Sequence, residues 1–327
     1  MALPTQPTCR TMWMFPRNIR DVEPWKLSQI LNLLLAADGC VGSQAIQNEL
    51  YAQLERFKIK REKVNDGKGV SNQGGMRTYL AQLACLGLAY VDKEKRYVPT
   101  RAGQHVIDGL NPAGVLRCQL LRLQYPSVYG WGQNVKISPK MRVKPFVFLI
   151  RLLRDPRMEG YLTCDEVAVC VVYGRTVNDY EKCVGKILSL RNGDAKELRE
   201  VIDALEDLCT PRRWKGSDDL LWERGIEDIG DIANTAMNFA YAAGLVEKET
   251  QQGSRSLTYR LTEDPDVLAD MERWLAEADK IERITDDETT WINAQNRYGR
   301  YDRDKVISIG AKPKTDGLDA VVQAAYI

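Results

Sequence analysis

Two asparagines one helical turn apart, Asn234 and Asn238, lie in a segment of helical period with Thr235 between them and Tyr241 a turn beyond. Asparagine costs a helix interior about 0.5 kcal/mol or slightly more relative to alanine, so a pair of them needs a reason. Base readout is one. The major groove of B-DNA admits an α-helix, and there Asn or Gln pairs with the edge of adenine, and Arg with that of guanine, through two hydrogen bonds. An earlier segment offers the same chemistry through Arg77, Thr78 and Gln82. Arg77, Thr78, Gln82, Asn234, Thr235 and Asn238 are therefore the candidates for base contact; the plainer alternative for each is a polar residue facing solvent.

Phosphates ask for positive charge, and contacts to them fix register without reading sequence. The candidates for this role are Lys58, Lys60, Arg61, Lys63 and Lys68 ahead of the first segment, and Lys93, Lys95 and Arg96 after it. Lys136, Lys140 and Arg142 follow in mid-chain, then Arg175, Arg212, Arg213, Lys215 and Arg255.

A reading helix needs an apolar back and a support. Apolar residues recur at helical spacing through Trp25, Leu27, Ile30, Leu31, Leu34 and Leu35 and stop at Gly39, which predicts a first helix. Ser43 is placed to cap a second over about 44–57, with Ile46, Leu50 and Leu54 on its buried stripe. The basic, glycine-punctuated stretch 58–75 reads as a loop. A third helix over about 76–86 carries Met76, Leu80, Leu83 and Leu86 on one face and stops at Gly87. Two short strands follow around the charged tip Asp92 to Arg96. Three helices closed by a β-hairpin is the winged-helix arrangement. The last part of it returns later in the chain: a helix from Ile229, then Gly244-Leu245, a strand, a polar tip from Glu249 to Arg255, and a strand ending at Thr262. Such a repeat is harder to obtain by chance than either copy alone.

Further helices are predicted at about 102–109, 113–124, 144–154, 164–173, 177–190 and 267–281, with Tyr125 to Val143 as an ordered connector anchored by Tyr125, Tyr129 and Trp131. The fold class is mainly α with small β wings. It divides into an N-terminal arm (1–17), a first winged-helix module (18–111), a connector (112–142), a second module (143–263), an acidic helical segment (264–300) and a tail or linker start (301–327).

The composition bounds the chemistry. At 327 residues with 44% hydrophobic and 28% charged content, the chain is globular and long enough for more than one core. Its net charge of +1 averages over basic clusters at 56–68 and 136–157 and an acidic stretch at 263–288, which predicts a basic working face with an acidic segment turned away from it or docked on a partner. The eight cysteines include no Cys-x-x-Cys pair and read as reduced, buried thiols, and His105 is the single histidine, so zinc fingers and histidine triads lack their parts. Pro265-Asp266 and the later Glu277 to Lys280 fall on one helix, not on neighbouring strands, and read as a helix start and a solvated face. No catalytic or metal-binding residue is assigned. Without a signal pattern or membrane-length apolar run, the chain is expected in the cytoplasm.

The run Leu86-Gly-Leu-Ala-Tyr-Val-Asp-Lys-Glu-Lys-Arg-Tyr-Val-Pro-Thr-Arg-Ala-Gly103 and the string Leu121-Arg-Leu-Gln-Tyr-Pro-Ser127 resemble the N-terminal recognition region of AlwI-like type IIS restriction and strand-nicking endonucleases. Asn178 to Asn192, Asp231 to Val246 and Trp291 to Gly299 resemble later stretches of that region in the same order. The resemblance implies winged-helix modules that bind a short asymmetric site in double-stranded DNA. It also implies a C-terminal PD-(D/E)xK nuclease domain using Mg2+, and this chain stops about where that domain should begin. The expectation is a target-recognition part with no cofactor of its own, whose partners are DNA and a nuclease domain or subunit. A winged-helix transcriptional regulator and a tandem winged-helix protein-interaction scaffold remain the alternatives.

Overall fold

In the computed structural model the described residues are 12–16, 22–57, 75–92, 94–125, 127, 141–193, 218–249, 257–276, 280–281 and 298–299, without the side chains of 218–229. Helix α1 (Pro24–Ala36) carries proline in its first turn, where a missing N–H costs nothing, and buries Leu27, Ile30, Leu31 and Leu34. Gly39 follows with φ +67 and lies so close to the next strand that a Cβ there would meet the Tyr97 carbonyl oxygen at 2.4 Å. Helix α2 (Gln44–Arg56) is capped as expected, Ser43 Oγ accepting from the Ile46 N–H at 3.2 Å. Helix α3 (Gly75–Cys85) leads into the antiparallel hairpin β1 (Ala89–Val91) and β2 (Tyr97–Pro99). Thr100 then caps α4 (Arg101–Ile107).

Helix α5 (Pro112–Arg122) opens the second half, followed by α6 (Pro145–Arg154), β3 (Tyr161–Thr163), α7 (Cys164–Val169) and α8 (Tyr180–Arg191). The long α9 (Asp218–Ala242) leads to β4 (Val246–Glu249), β5 (Thr258–Leu261) and α10 (Pro265–Leu275). Strands β3, β5 and β4 form one antiparallel sheet with β5 in the middle, its Tyr259 opposite Leu162 and Lys248. The fold is mainly helical with two small antiparallel sheets.

The repeat seen in the sequence is a repeat of hydrogen bonds. Helix α3 ends with Leu88 N–H donating to Leu83 O at 2.8 Å around Gly87 (φ +66), and α9 with Leu245 N–H donating to Ala240 O at 2.9 Å around Gly244 (φ +69). Thr100 N–H then closes on Leu88 O, as Thr262 N–H closes on Leu245 O.

Several expectations shift. Strand β3 was not foreseen, because three residues carry no readable period. The helix expected over 164–173 breaks at Cys170 into α7 and a 3-10 turn at Val171–Tyr173, where β-branched side chains crowd the turn. A 3-10 turn (Val177–Asp179) precedes α8, α9 starts before Ile229, and α10 stops at Leu275. Of the connector, the ends pair as a bridge, Tyr125 to Val143, while 126 and 128–140 lie outside the described residues.

The N-terminal arm is not a loose extension where it is described. Trp13 and Phe15 are fully buried, and the Trp13 indole donates to Gly174 O at 2.8 Å. Tyr125 Oη accepts from Met14 N–H at 2.8 Å and donates to Met14 O. Phe15 packs against Phe146 of α6 and Phe239 of α9. Buried residues from both halves form one hydrophobic cluster. No helix among the described residues is long and apolar enough to cross a membrane.

Candidate nucleic-acid interface

The front of α3 is open only near its start. Arg77 is exposed and Thr78 and Tyr79 are half-buried, but from Gln82 to Ala89 every residue is buried. Gln82, expected to read a base, is fully buried and neither atom of its amide has a hydrogen-bond partner among the described residues. The amphipathic pattern assumed a polar face along the whole helix. Instead Tyr298 lies across the end of α3, its hydroxyl within 3.1 Å of Cys85 O and 3.0 Å of Gln119 O. Arg77 reaches across to α2, donating from Nη2 to Gln44 Oε1 at 3.3 Å, and Gln44 Nε2 donates to Asn48 Oδ1 at 2.9 Å. Gln44 and Asn48 extend the row of amide and guanidinium groups. The sequence signal for them was the same four-residue spacing as in Asn234 and Asn238, on a helix read only for its apolar stripe.

On α9, Asn234 is half-buried, Asn238 is 9% exposed and Tyr241 is 53% exposed, so one edge of the helix reaches solvent. Asn238 Nδ2 donates to Asn234 Oδ1 at 3.4 Å. Thr235 is a second correction: it stands about 100° round the helix from Asn234 and is 1% exposed, inside the core and away from any duplex. Of the six candidates, the structure leaves Arg77, Thr78 and Asn234 with open faces, and Asn238 at the margin.

The cations separate likewise. Lys95 stands exposed at the tip of the first hairpin with φ +64. Arg96 beside it is already held, its guanidinium 3.0 Å from Asp92 and 3.7 Å from Glu94, so it brings no uncompensated charge. Burial alone would raise the Asp92 carboxyl, but hydrogen bonds from the Arg96 backbone and guanidinium outweigh it and hold the group below its ordinary value. Exposed Arg142 and partly exposed Arg175 come together, Arg142 N–H donating to Arg175 O at 2.7 Å, with Asp179 3.9 Å from the Arg175 guanidinium. Lys58, Lys60, Arg61, Lys63, Lys68, Lys93, Lys136, Lys140, Arg212, Arg213, Lys215 and Arg255 lie outside the described residues.

Two arginines of the basic cluster at 136–157 are spent on acids. Arg157 pairs with Asp155 at 2.7 Å and Glu181 at 2.8 Å, Arg154 pairs with Glu272 at 2.5 Å, and Lys144 is buried. Glu272 belongs to α10, so the described start of the acidic segment packs on the molecule itself. Pro265 and Asp266 open that helix, Asp264 capping it. Cys40 is exposed, against expectation, while burial pushes the Cys183 thiol up to about 12. Among the described residues no cluster of His, Cys, Asp or Glu is placed to hold a metal ion.

No family model matches the chain, and no curated protein matches its sequence. Its fold is similar to that of a solved structure described as a crystal structure of pyrene- and phenanthrene-modified DNA in complex with the BpuJ1 endonuclease binding domain. The likeness has a TM-score of 0.54 at 13% identity and covers 90% of this chain and 99% of the other.

Proposed function

We propose that this chain recognises a short asymmetric site in double-stranded DNA, as the target-recognition part of a type IIS restriction or nicking endonuclease. The observation that carries the reading is the likeness in fold, over 90% of the chain, to a binding domain solved in complex with DNA. On this reading residues 18–111 and 143–263 are two winged-helix modules joined by 112–142, and α3 and α9 are the helices that enter the groove. Arg77 with Gln44 and Asn48, and Asn234 with Asn238, face base edges. Lys95 and the Arg142–Arg175 pair hold phosphates, together with the basic residues at 58–68. Cutting belongs to an attached nuclease domain or subunit, which brings the Mg2+ requirement with it, and the protein works in the cytoplasm.

Selection of bound fragments from random duplexes, with and without Mg2+, tests this. A short non-palindromic sequence is expected, with affinity falling as salt rises by about 0.9 in log–log slope per phosphate contact. Asn234→Ala should cost about 1–3 kcal/mol on that sequence and little on random DNA. A palindromic footprint would favour a dimeric regulator instead; binding indifferent to salt and sequence would end the DNA reading.

A further inference from the structure

The two helices that end in the repeated glycine turn are held at the same point by one element. That element is α5, and the two contacts come from side chains two residues apart on it. Gln119 Nε2 donates to Leu86 O, the carbonyl just before Gly87, at 3.1 Å. Arg117 Nη1 donates to Ala243 O, the carbonyl just before Gly244, also at 3.1 Å. The positions correspond across the repeat. Both side chains are buried, at 0% and 8% exposure, so neither is a surface contact that solvent would dissolve.

On the α3 side the glycine allows the approach: a Cβ on Gly87 would meet Gln119 Nε2 at 2.5 Å. On the α9 side a Cβ on Gly244 would lie at an ordinary 3.5 Å from Arg117 Nη1, and the glycine serves the turn through its φ of +69. Each brace is itself anchored. Gln119 Nε2 also donates to Tyr298 O at 2.9 Å, and the Tyr298 hydroxyl returns to Gln119 O and Cys85 O. Arg117 Nε binds Asp270 Oδ2 of α10 at 3.0 Å, and Asp270 is 0% exposed. Carbonyls at a helix C-terminus carry partial negative charge and lack partners within the helix, so an amide and a guanidinium are suitable donors there. Capping each end alone would not need a shared element. Two caps on one rigid helix, one turn or less apart, fix where the two helix ends stand relative to each other.

We propose that Gln119 and Arg117 are positioning residues that set the separation of the α3 and α9 helices, and thereby the spacing between the two blocks of bases the protein reads. The spacing claim rests on the DNA reading above; the brace itself does not. Neither residue touches DNA.

Two measurements on the full chain test the two parts apart. Spin labels at Lys95→Cys and Lys248→Cys report the distance between the two hairpins, with Cys40→Ser removing the thiol exposed among the described residues and Cys9→Ser and Cys209→Ser removing the two outside them. One narrow distribution is expected, broadened or displaced by several ångströms in Gln119→Met, which keeps the volume and loses the donor. Asp270→Asn, which keeps the shape and weakens the hold on Arg117, should do the same from the other side. Selection from random duplexes should give two blocks at one spacing for the unmodified protein. The Gln119→Met protein should accept spacings one base pair longer or shorter with preferences inside each block unchanged. An unchanged distance in both variants overturns the brace. A displaced distance with an unchanged single spacing overturns the spacing claim. If no sequence is enriched at all, the DNA reading and the spacing claim fall together, and the distance alone decides the brace.

Discussion

Gln82 shows how far a residue's type can mislead when its surroundings are unknown. Its amide has the right chemistry for adenine, and its helical position is off the apolar stripe, yet it is fully buried without a hydrogen-bond partner among the described residues. An amide buried in that state costs about 1–3 kcal/mol, because it has given up water and gained nothing. Gln82→Met, similar in volume and without polar hydrogens, is therefore expected to stabilise the protein by about 1 kcal/mol and to leave base preference untouched. Urea denaturation and fragment selection would check both halves; a changed base preference would restore Gln82 to the interface. Asn234 and Asn238 mark the other outcome. Their spacing announced a special helix edge, and that edge does reach solvent. Thr235 did not follow them, since one step round a helix is enough to cross from surface to core.

At the level of elements, most helices were legible because their caps and glycines are local signals: Ser43, Gly39, Gly87 and Gly244 all act where they were expected to. What stayed hidden depends on distant partners. Strand β3 exists because β5 pairs with it, and the arginines of α6 and its exit turn look like a basic face until Glu181 and Glu272 arrive from elsewhere in the chain. The Thr100-Arg-Ala-Gly103 turn, part of the strongest family resemblance, turns out to be a packing device. Thr100 Oγ1 donates to Gly87 O at 2.6 Å and accepts from Gly103 N–H at 3.1 Å, and a Cβ on Gly103 would meet Leu88 O at 2.0 Å. Gly103→Ala should cost about 1–3 kcal/mol or more, since a backbone atom cannot swing aside as a side chain can, and a thermal melt within a degree of the parent would refute this. The corner after α6 makes a pH-dependent prediction. Asp155 accepts from the Arg157 guanidinium, the Arg157 N–H and the Tyr180 hydroxyl, and these hold its carboxyl well below the usual range despite burial. The unfolded chain, with Asp near 3.9, binds that proton first as pH falls, so this stabilisation is complete above about pH 5 and drains away below it. Asp155→Asn should flatten the decline of the urea midpoint between about pH 5 and 3; an unchanged slope would show that other carboxylates govern it.

For the whole molecule, the sequence suggested an arm in front of two modules strung in order. Where the arm is described, at 12–16, its hydrogen bonds and ring contacts reach into the second half. Trp13 stacks edge-on against Phe148 with ring centres 6.1 Å apart, and its backbone N–H donates to Val172 O at 2.8 Å, so this segment, which precedes the first half in sequence, is anchored in the second. Helix α5 then contributes Leu116, Leu120 and Leu121 to a single cluster that includes α1 and α9 side chains alike. Such a core has no seam along which one half could unfold while the other stays folded at equal stability. Heating or denaturant is therefore expected to give one cooperative transition, coincident for hydrogen-exchange reporters on α1 and on α9. Replacing Trp13 by Ala removes a fully buried aromatic and should cost about 3–5 kcal/mol. Because unfolding is shared, that loss should appear in α1 as well as in α9, although the hydrogen bonds of Trp13 go to Val172 and Gly174 of the second half. Tyr125→Phe, which removes the hydroxyl's two hydrogen bonds to the Met14 backbone with little change in volume, should do the same on a smaller scale, about 1 kcal/mol. Loss of protection confined to α9 in either variant would mean that the halves melt separately and that the arm belongs to one of them alone.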